Sequence, residues 1–232
     1  MQNTYSKDGL VLDISGQKLQ ETGRNIIIDK SKHMNHGMCM NETNIIQTKE
    51  GIGAGSFDGV NDYVDCGNDA SLNIISAITI EAWVNTNSLE DRKIITRVKD
   101  ASWEGRVYQM HTLHEKINWK VFNGLPYGMI NVESEAIETG KWYRVVGTFD
   151  SSYVRLYVNN VKYETLNTIG TLTSNPSIHT RIGTWITSNY FHGLIDEMRI
   201  YNRALSVEEV RGNMFTSKRY KYMRGVQKCG VQ

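Results

Sequence analysis

The sequence predicts an all-β fold, an antiparallel sandwich or barrel that carries one short helix near its C-terminal end. Three observations predict it. Runs rich in Val, Ile, Thr, Tyr and Trp recur at short, even spacing between clusters of Gly, Asn, Asp and Ser. Only two prolines occur, Pro126 and Pro176, so long uninterrupted strands are permitted. The clearest run, "AITIEAWVNT", alternates with a period of two: Ile78, Ile80, Ala82 and Val84 share one face, and Thr79, Glu81, Trp83 and Asn85 share the other. A face that carries Glu and Trp together reads as a solvated face or a binding face rather than an ordinary core.

The elements follow in chain order. "GLVL" reads as an N-terminal strand. Residues 15–56 are less regular, with short apolar pieces ("NIIID", "GMCM", "NIIQT") read as first strands separated by long loops. "SFDGVNDYVDCGN" reads as two short antiparallel strands, "GSF" and "YVDC", joined by the turn "DGVND". Gly59 supplies the backbone freedom of such a turn, Asp62 bonds within it, and Cys66 faces the core or an edge. "RKIITRV", "RVYQMHTL" and "KINWKVF" are further strands. "KWYRVVGTFD" and "SYVRLYVNNVKYETL" give a three-stranded meander. Asn159-Asn160 sits where a type I′ turn belongs, because Asn tolerates positive φ. "SIHTRIGTW" and "YFHGLIDEMRIYN" are the last strands. Ser206 with Glu209 three residues on forms a capping box, so a helix starts at Val207 and is expected to end near Gly212.

Composition bounds the rest. A chain of 232 residues suits one large all-β domain as well as two small ones. A net charge of +1 gives no global field toward nucleic acid. The charge is uneven. Residues 216–232 carry Lys218, Arg219, Lys221, Arg224 and Lys228 with no acid, leaving 21 basic against 25 acidic residues elsewhere. This tail is either a solvated end or an arm that docks on a partner. Tyr220 and Tyr222 interleave with its charges, but five charges without a nucleic-acid fold motif favour a protein partner with an acidic groove. No secretory leader and no run of the roughly 18 apolar residues of a membrane span is visible. A virion or extracellular surface, as part of a larger assembly, is favoured over the cytoplasm. Cys39, Cys66 and Cys229 are odd in number and lack CxxC spacing, which argues against a disulfide framework and a zinc site and leaves a Cys39–Cys66 bridge open.

Seven pieces occur together and in order: "GLVL", "DKSKHMNHG", "FDGVNDYVDCGN", "ITIEAWV", "GKWYRVVGTFD", "VRLYVNN" and "FHGLIDEMRIYNRALSVEEV". In these pieces the chain resembles the laminin-G-like, concanavalin A-like lectin/glucanase family over roughly residues 8–215. The resemblance implies a jelly-roll sandwich of two antiparallel sheets over residues 1–215, with 216–232 outside it. The second piece is similar to the family loop D-x-S-G-N-x-N-x-G and keeps Asp29, Ser31, Asn35 and Gly37, with Lys32 and His33 as departures.

The candidate chemistries are calcium binding, sugar binding and carboxylate catalysis. The resemblance implies a structural calcium, and the matching positions are Asp29, Asn35, Asp58 and Asp196; the plain reading of Asp58 is a turn cap and of Asp196 a solvated edge residue. Sugar binding follows from the loops themselves. "KDASWEGR" and "GTWITSNYFHG" each place a Trp in a polar loop, and sugars stack on aromatic rings while polar groups bond their hydroxyls. The candidates are Trp103, Trp185 and Tyr190 with Glu104, Arg106 and Asn189 as polar partners, set against the reading that these rings cover a sheet edge or a subunit interface. Trp83 and Trp142 read as packing residues. Relatives that are glycosidases use paired carboxylates on one strand, but Asp196 and Glu197 are adjacent and should point to opposite faces, and Glu133 with Glu135 have no family support. His111 and His114 read as solvated loop residues. The expectation is a non-enzymatic carbohydrate-binding module for adhesion or decoration that recognises a glycan or cell-surface polysaccharide. The alternatives are a structural protein of a virion or assembly, and a glycoside hydrolase or lyase.

Overall fold

The computed structural model describes residues 5–19, 26–41, 43–47 and 53–229. The strands, in chain order, are β1 (Leu10–Leu19), β2 (Ile26–Asp29), β3 (Gly37–Met40), β4 (Asn44–Gln47), β5 (Gly53–Asp58), β6 (Tyr63–Asp65), β7 (Ile78–Thr86) and β8 (Arg92–Val98). They continue with β9 (Arg106–Leu113), β10 (Lys116–Phe122), β11 (Met129–Ala136), β12 (Trp142–Phe149), β13 (Tyr153–Val158), β14 (Val161–Leu166), β15 (Thr180–Ile182) and β16 (His192–Tyr201). Two helices follow, α1 (Val207–Thr216) and α2 (Lys218–Cys229).

The pairing order is β11-β10-β9-β8-β15-β6-β3-β2-β1-β16-β7-β12-β13-β14, with β5 added beside β16 and β4 beside β5. The path folds back on itself, so β10 and β11 pack over β12, β13 and β14 as two facing layers, the sandwich that the sequence predicts. Ile78, Ile80, Ala82 and Val84 lie in the core between the layers, opposite Met110, Trp119, Val121 and Ile130. Trp119 ties the layers together by donating its indole N–H to the carbonyl of Thr148 at 3.2 Å. The fused Cδ2–Cε2 bond of that indole crowds the space where a Cβ on Gly147 would sit, 2.6 Å from Cδ2.

Local chemistry explains several elements. Asn159 and Asn160 turn the β13–β14 hairpin at φ 49° and 68°. Ser206 accepts from the Glu209 N–H at 3.2 Å and the Glu209 carboxylate accepts from the Ser206 N–H at 3.0 Å, which completes the capping box. β11 lies beyond the strand runs read from the sequence; its burial alternates Ile130, Val132 and Ser134 inward against Asn131, Glu133 and Glu135 outward.

Apart from the extent of α1, four expectations are corrected. The turn "DGVND" does not close a hairpin: β5 pairs with β16 and β4, while β6 pairs with β3 and β15. Asp58 satisfies the turn locally, accepting from the N–H groups of Val60 at 2.8 Å and Asn61 at 3.2 Å, so the flanking strands are free to choose other neighbours. Asp62 does bond within the turn, accepting from the Asp58 N–H at 3.0 Å. α1 runs past Gly212 to Thr216, because Asn213 is buried and donates to Glu81 at 3.2 Å, which holds the last turn on the sheet.

Second, the described part of the basic segment, Lys218–Cys229, forms a second helix whose Arg219 is bound to Asp196; residues 230–232 lie outside the described residues. Third, the face of Glu81 and Trp83 is neither solvated nor open. Both residues are 1% exposed beneath α1 and α2. Glu81 accepts from Arg144 at 2.5 Å and Arg199 at 3.0 Å. Burial alone would raise its pKa; the two guanidiniums outweigh that and hold it below the usual carboxylate range. Fourth, Asp196 and Glu197 point the same way. The register of β16 on β7 shifts between Asp196 and Arg199, and Glu197 sits at φ 47°, so a β-bulge turns both carboxylates under α2. Asp196 takes Arg219 at 2.8 Å, and Glu197 takes the Ser217 hydroxyl at 2.9 Å.

Candidate functional site

The outer face of β8–β11 is built from the polar alternates of strands whose other residues fill the core. Cross-strand register aligns two rows. Lys93, His111, Asn118 and Glu133 form one row, and Thr96, Gln109, Lys120 and Asn131 form the other. Opposite-face partners are apolar: Ile95, Met110, Trp119 and Val132. Lys120, Asn131 and Glu133 are the more exposed members of these rows; Lys93, Thr96, Gln109, His111 and Asn118 are buried in the face.

At one end of this face the β8–β9 loop meets the β10–β11 loop. Trp103 lies 6.3 Å from Phe122 and 5.9 Å from Tyr127, ring centre to ring centre. The Arg106 guanidinium sits 5.5 Å from the Trp103 ring centre and 5.7 Å from that of Phe122. Tyr127 is 89% exposed at φ 63°, held by the bond from the Met129 N–H to its carbonyl at 2.9 Å. Glu104 is exposed beside them.

At the other end the loop 183–191 crosses the start of β8. The Thr96 hydroxyl donates to the Thr184 carbonyl at 2.8 Å, the Lys93 N–H donates to the Asn189 carbonyl at 3.0 Å, and the Asn189 amide donates to the Asp91 carbonyl at 3.0 Å. Trp185 and Ser188 form a two-residue bridge, and Tyr190 packs 6.4 Å from Tyr63. The six sugar-binding candidates therefore do not form one cluster. Trp103, Glu104 and Arg106 mark one end of the face, and Trp185, Asn189 and Tyr190 the other, separated by the length of β8. Asn189 is already occupied with scaffold bonds.

At this second end lies a group that the sequence reading passed over. Asp91 Oδ1 is 2.5 Å from Lys93 Nζ and 2.8 Å from His111 Nδ1. Lys93 is 4% and His111 1% exposed, so His111 is not the solvated loop residue that was expected. Burial pushes its imidazole down to about 4, against the opposing pull of Asp91. Burial likewise lowers Lys93 and Lys120. For Asp91, burial would raise the carboxyl, but hydrogen bonds from His111 and Lys93 outweigh it and hold it well below the carboxylate range. The available signal was the alternation itself: Lys93, Gln109, His111, Asn118 and Lys120 are the polar positions of otherwise apolar strands.

The residues that the resemblance implied for calcium do not fit that ion. Asp29 is 3% exposed, and its two oxygens accept four bonds: Asp13 N–H and Ser31 N–H at 2.8 Å, Ser31 Oγ–H and Asn35 N–H at 2.7 Å. Those bonds fill the acceptor capacity of a carboxylate. The Asn35 amide donates to Val11 O and Ser71 Oγ. Asp58 caps its turn, and Asp196 is engaged by Arg219 and by the Glu197 N–H. Among the described residues no group of three or more His, Cys, Asp or Glu is arranged to hold a metal ion. The loop is shaped by the four bonds that Asp29 accepts.

Cys39 and Cys66 are both buried and unbridged; burial pushes the Cys66 thiol up, away from reactivity. Glu133 and Glu135 stand exposed on β11. No helix of the described residues is long and apolar enough to cross a membrane.

A family model described as the concanavalin A-like lectin/glucanases superfamily matches residues 58–211. No curated protein matches the chain significantly. Solved structures do. The binding domain of Paraclostridial Mosquitocidal Protein 1 superposes with a TM-score of 0.68 at 17% identity, over 90% of this chain and 52% of that one. The receptor binding domain of botulinum neurotoxin D gives 0.67 at 16%, over 90% and 52%. The serotype D ligand binding domain, solved in complex with N-acetylneuraminic acid, gives 0.64 at 17%, over 90% and 51%. The chain thus spans about half the length of the structures it matches, and identities of this order carry the fold alone.

Proposed function

The chain belongs to the concanavalin A-like lectin/glucanases superfamily, and on that premise we propose that it is a non-enzymatic glycan-binding module. It would serve adhesion or decoration at a virion or extracellular surface. One observation carries the reading: the Trp103–Tyr127–Arg106 platform opens onto a four-stranded polar sheet face. The rings offer apolar surface to a sugar's C–H face, and Gln109, Lys120 and Asn131 behind them offer amides and an ammonium group to its hydroxyls. The similar structures are binding domains, one of them solved in complex with N-acetylneuraminic acid, which supports a binding role. The carboxylates argue against hydrolysis. Asp196 and Glu197 are buried under α2, and Glu133 and Glu135 are exposed, with no partner of the kind that tunes a catalytic acid.

The test is a glycan array with wild type and with Trp103→Ala and Tyr127→Ala. Binding by the wild type that both variants lose supports the reading; no binding to any glycan overturns it.

A second reading, a structural role in an assembly, rests on α2. Its outer side exposes Lys221, Tyr222 and Arg224, with Phe215 at 49% exposure beside it. This basic, partly apolar surface would suit an acidic protein partner. Reversing both charges with Lys221→Glu and Arg224→Glu should abolish assembly without affecting glycan binding.

A further inference from the structure

The β8–β11 face carries three unmet needs spread along its length. The first is His111 Nε2, buried and without a hydrogen-bond partner. A carboxylate can only accept, and Asp91 at 2.8 Å is nearer to His111 Nδ1 than Lys93 is at 3.3 Å, so Nδ1 carries the proton and donates to Asp91. Nε2 is then a bare acceptor that takes an O–H. The second is Lys120, one residue along the face. It makes no ion pair or hydrogen bond to a described residue, although it lies within electrostatic range of Asp91, Glu133 and Arg106. Asp91 is committed to Lys93 and His111, and Glu133 to Lys116 and Asn131. The third is Arg106, whose Nε is buried without a partner and whose Nη2 donates only to the Ala101 carbonyl. Two cations and a lone acceptor thus line one polar face without counter-groups of their own. From His111 to Arg106 along β9 is about 17 Å at the ~3.3 Å rise of a strand, the reach of an oligosaccharide rather than of a single sugar.

We propose that this face is the binding subsite for an acidic oligosaccharide, with Lys120 and Arg106 receiving its carboxylate or sulfate groups and His111 Nε2 accepting a ring hydroxyl. The inference rests on the glycan-binding reading above and names the ligand class. A neutral sugar would leave both cations desolvated without compensation, which burial makes costly. An anionic one supplies charge-assisted bonds in a partly shielded site, where they are strongest.

The test is titration calorimetry on the full chain with a hyaluronan tetrasaccharide (carboxylate), a sulfated galactose oligosaccharide (sulfate) and a cello-oligosaccharide (neutral). Wild type is set beside Lys120→Gln, Lys120→Arg and His111→Gln, each checked for an intact near-ultraviolet circular dichroism signal. The expected result is binding in an acidic arm and not in the neutral one, with the binding arm identifying the group. Lys120→Gln should weaken it at least tenfold, Lys120→Arg should restore most of that, and affinity should fall with salt. Equal binding of the neutral oligosaccharide, or no effect of Lys120→Gln, overturns this inference and leaves the glycan-binding reading standing. Binding in no arm, together with a blank glycan array, overturns both.

Discussion

Arg219 lies over the Trp142 ring, its guanidinium carbon 3.6 Å from the ring centre, while the same group donates at 2.8 Å to Asp196. A basic segment that reads as an arm for another molecule is thereby fastened to its own sheet. Asp196 and Arg219 are 4% and 1% exposed. Removing one member of such a pair leaves the other charge buried alone. Arg219→Ala should therefore cost about 3–5 kcal/mol in urea unfolding. Asp196 already has a raised pKa, from burial first and from Glu197, against Arg219, so Asp196→Asn should cost less. Equal stability of wild type and Arg219→Ala would mean that α2 is not docked.

His111 sets a pH dependence. The unfolded chain takes up a proton at its ordinary value of 6.5, and the folded chain only near 4, because burial disfavours the imidazolium. Between these values the unfolded state binds more protons, so stability falls as pH drops. The full loss is about 3 kcal/mol, reached below pH 4. Asp91, Lys93 and Lys120 face the ring. Asp91, held below its ordinary range, adds a loss of the same sign at lower pH. Denaturation midpoints from pH 7 to 4.5 should slope in the wild type and flatten in His111→Gln.

Gly147 reports on the packing between layers. A methyl there would meet Trp119 Cδ2 at 2.6 Å, Cε2 at 2.8 Å and Met110 Cε at 3.0 Å. Gly147→Ala should cost about 1–3 kcal/mol through overpacking. The double variant Gly147→Ala with Met110→Ala should recover only the Met110 share, since the indole is fixed by its bond to Thr148. Thermal melts of both variants measure this.

Chelation should do nothing. Every oxygen of Asp29 is committed to a protein donor, and Asp196 is committed to Arg219 and its own bulge. Melting midpoints with EGTA and with added calcium should agree. A rise in midpoint with calcium would show that a cation displaces these bonds.

The fold was legible because its signals are local and repeated. The alternation in β7, the Asn159-Asn160 turn and the Ser206–Glu209 box each encode one element, and each stands in the structure as read. What escaped depends on partners distant in sequence. The Glu81 and Trp83 face looks like a surface until α1 and α2, more than a hundred residues later, cover it. The bulge at Asp196 overrides strict alternation, so two neighbouring carboxylates turn to one side. "DGVND" has the composition of a hairpin turn, but composition does not choose which strands pair. At the candidate site, loop aromatics were visible as residue types. The Asp91–Lys93–His111 group was not, because it depends on the register between β8 and β9.

The position of β16 has a kinetic consequence. That strand lies between β1 and β7 and also carries β5, so residues 192–201 supply the ladder partners of three segments far apart in sequence. Until those residues are available during synthesis, β1, β5 and β7 present unpaired edges. Such long-range closure slows folding and exposes strand edges to wrong partners. On a ribosome the chain would remain an open set of strands until its last strand arrives and joins the two layers in a single late step.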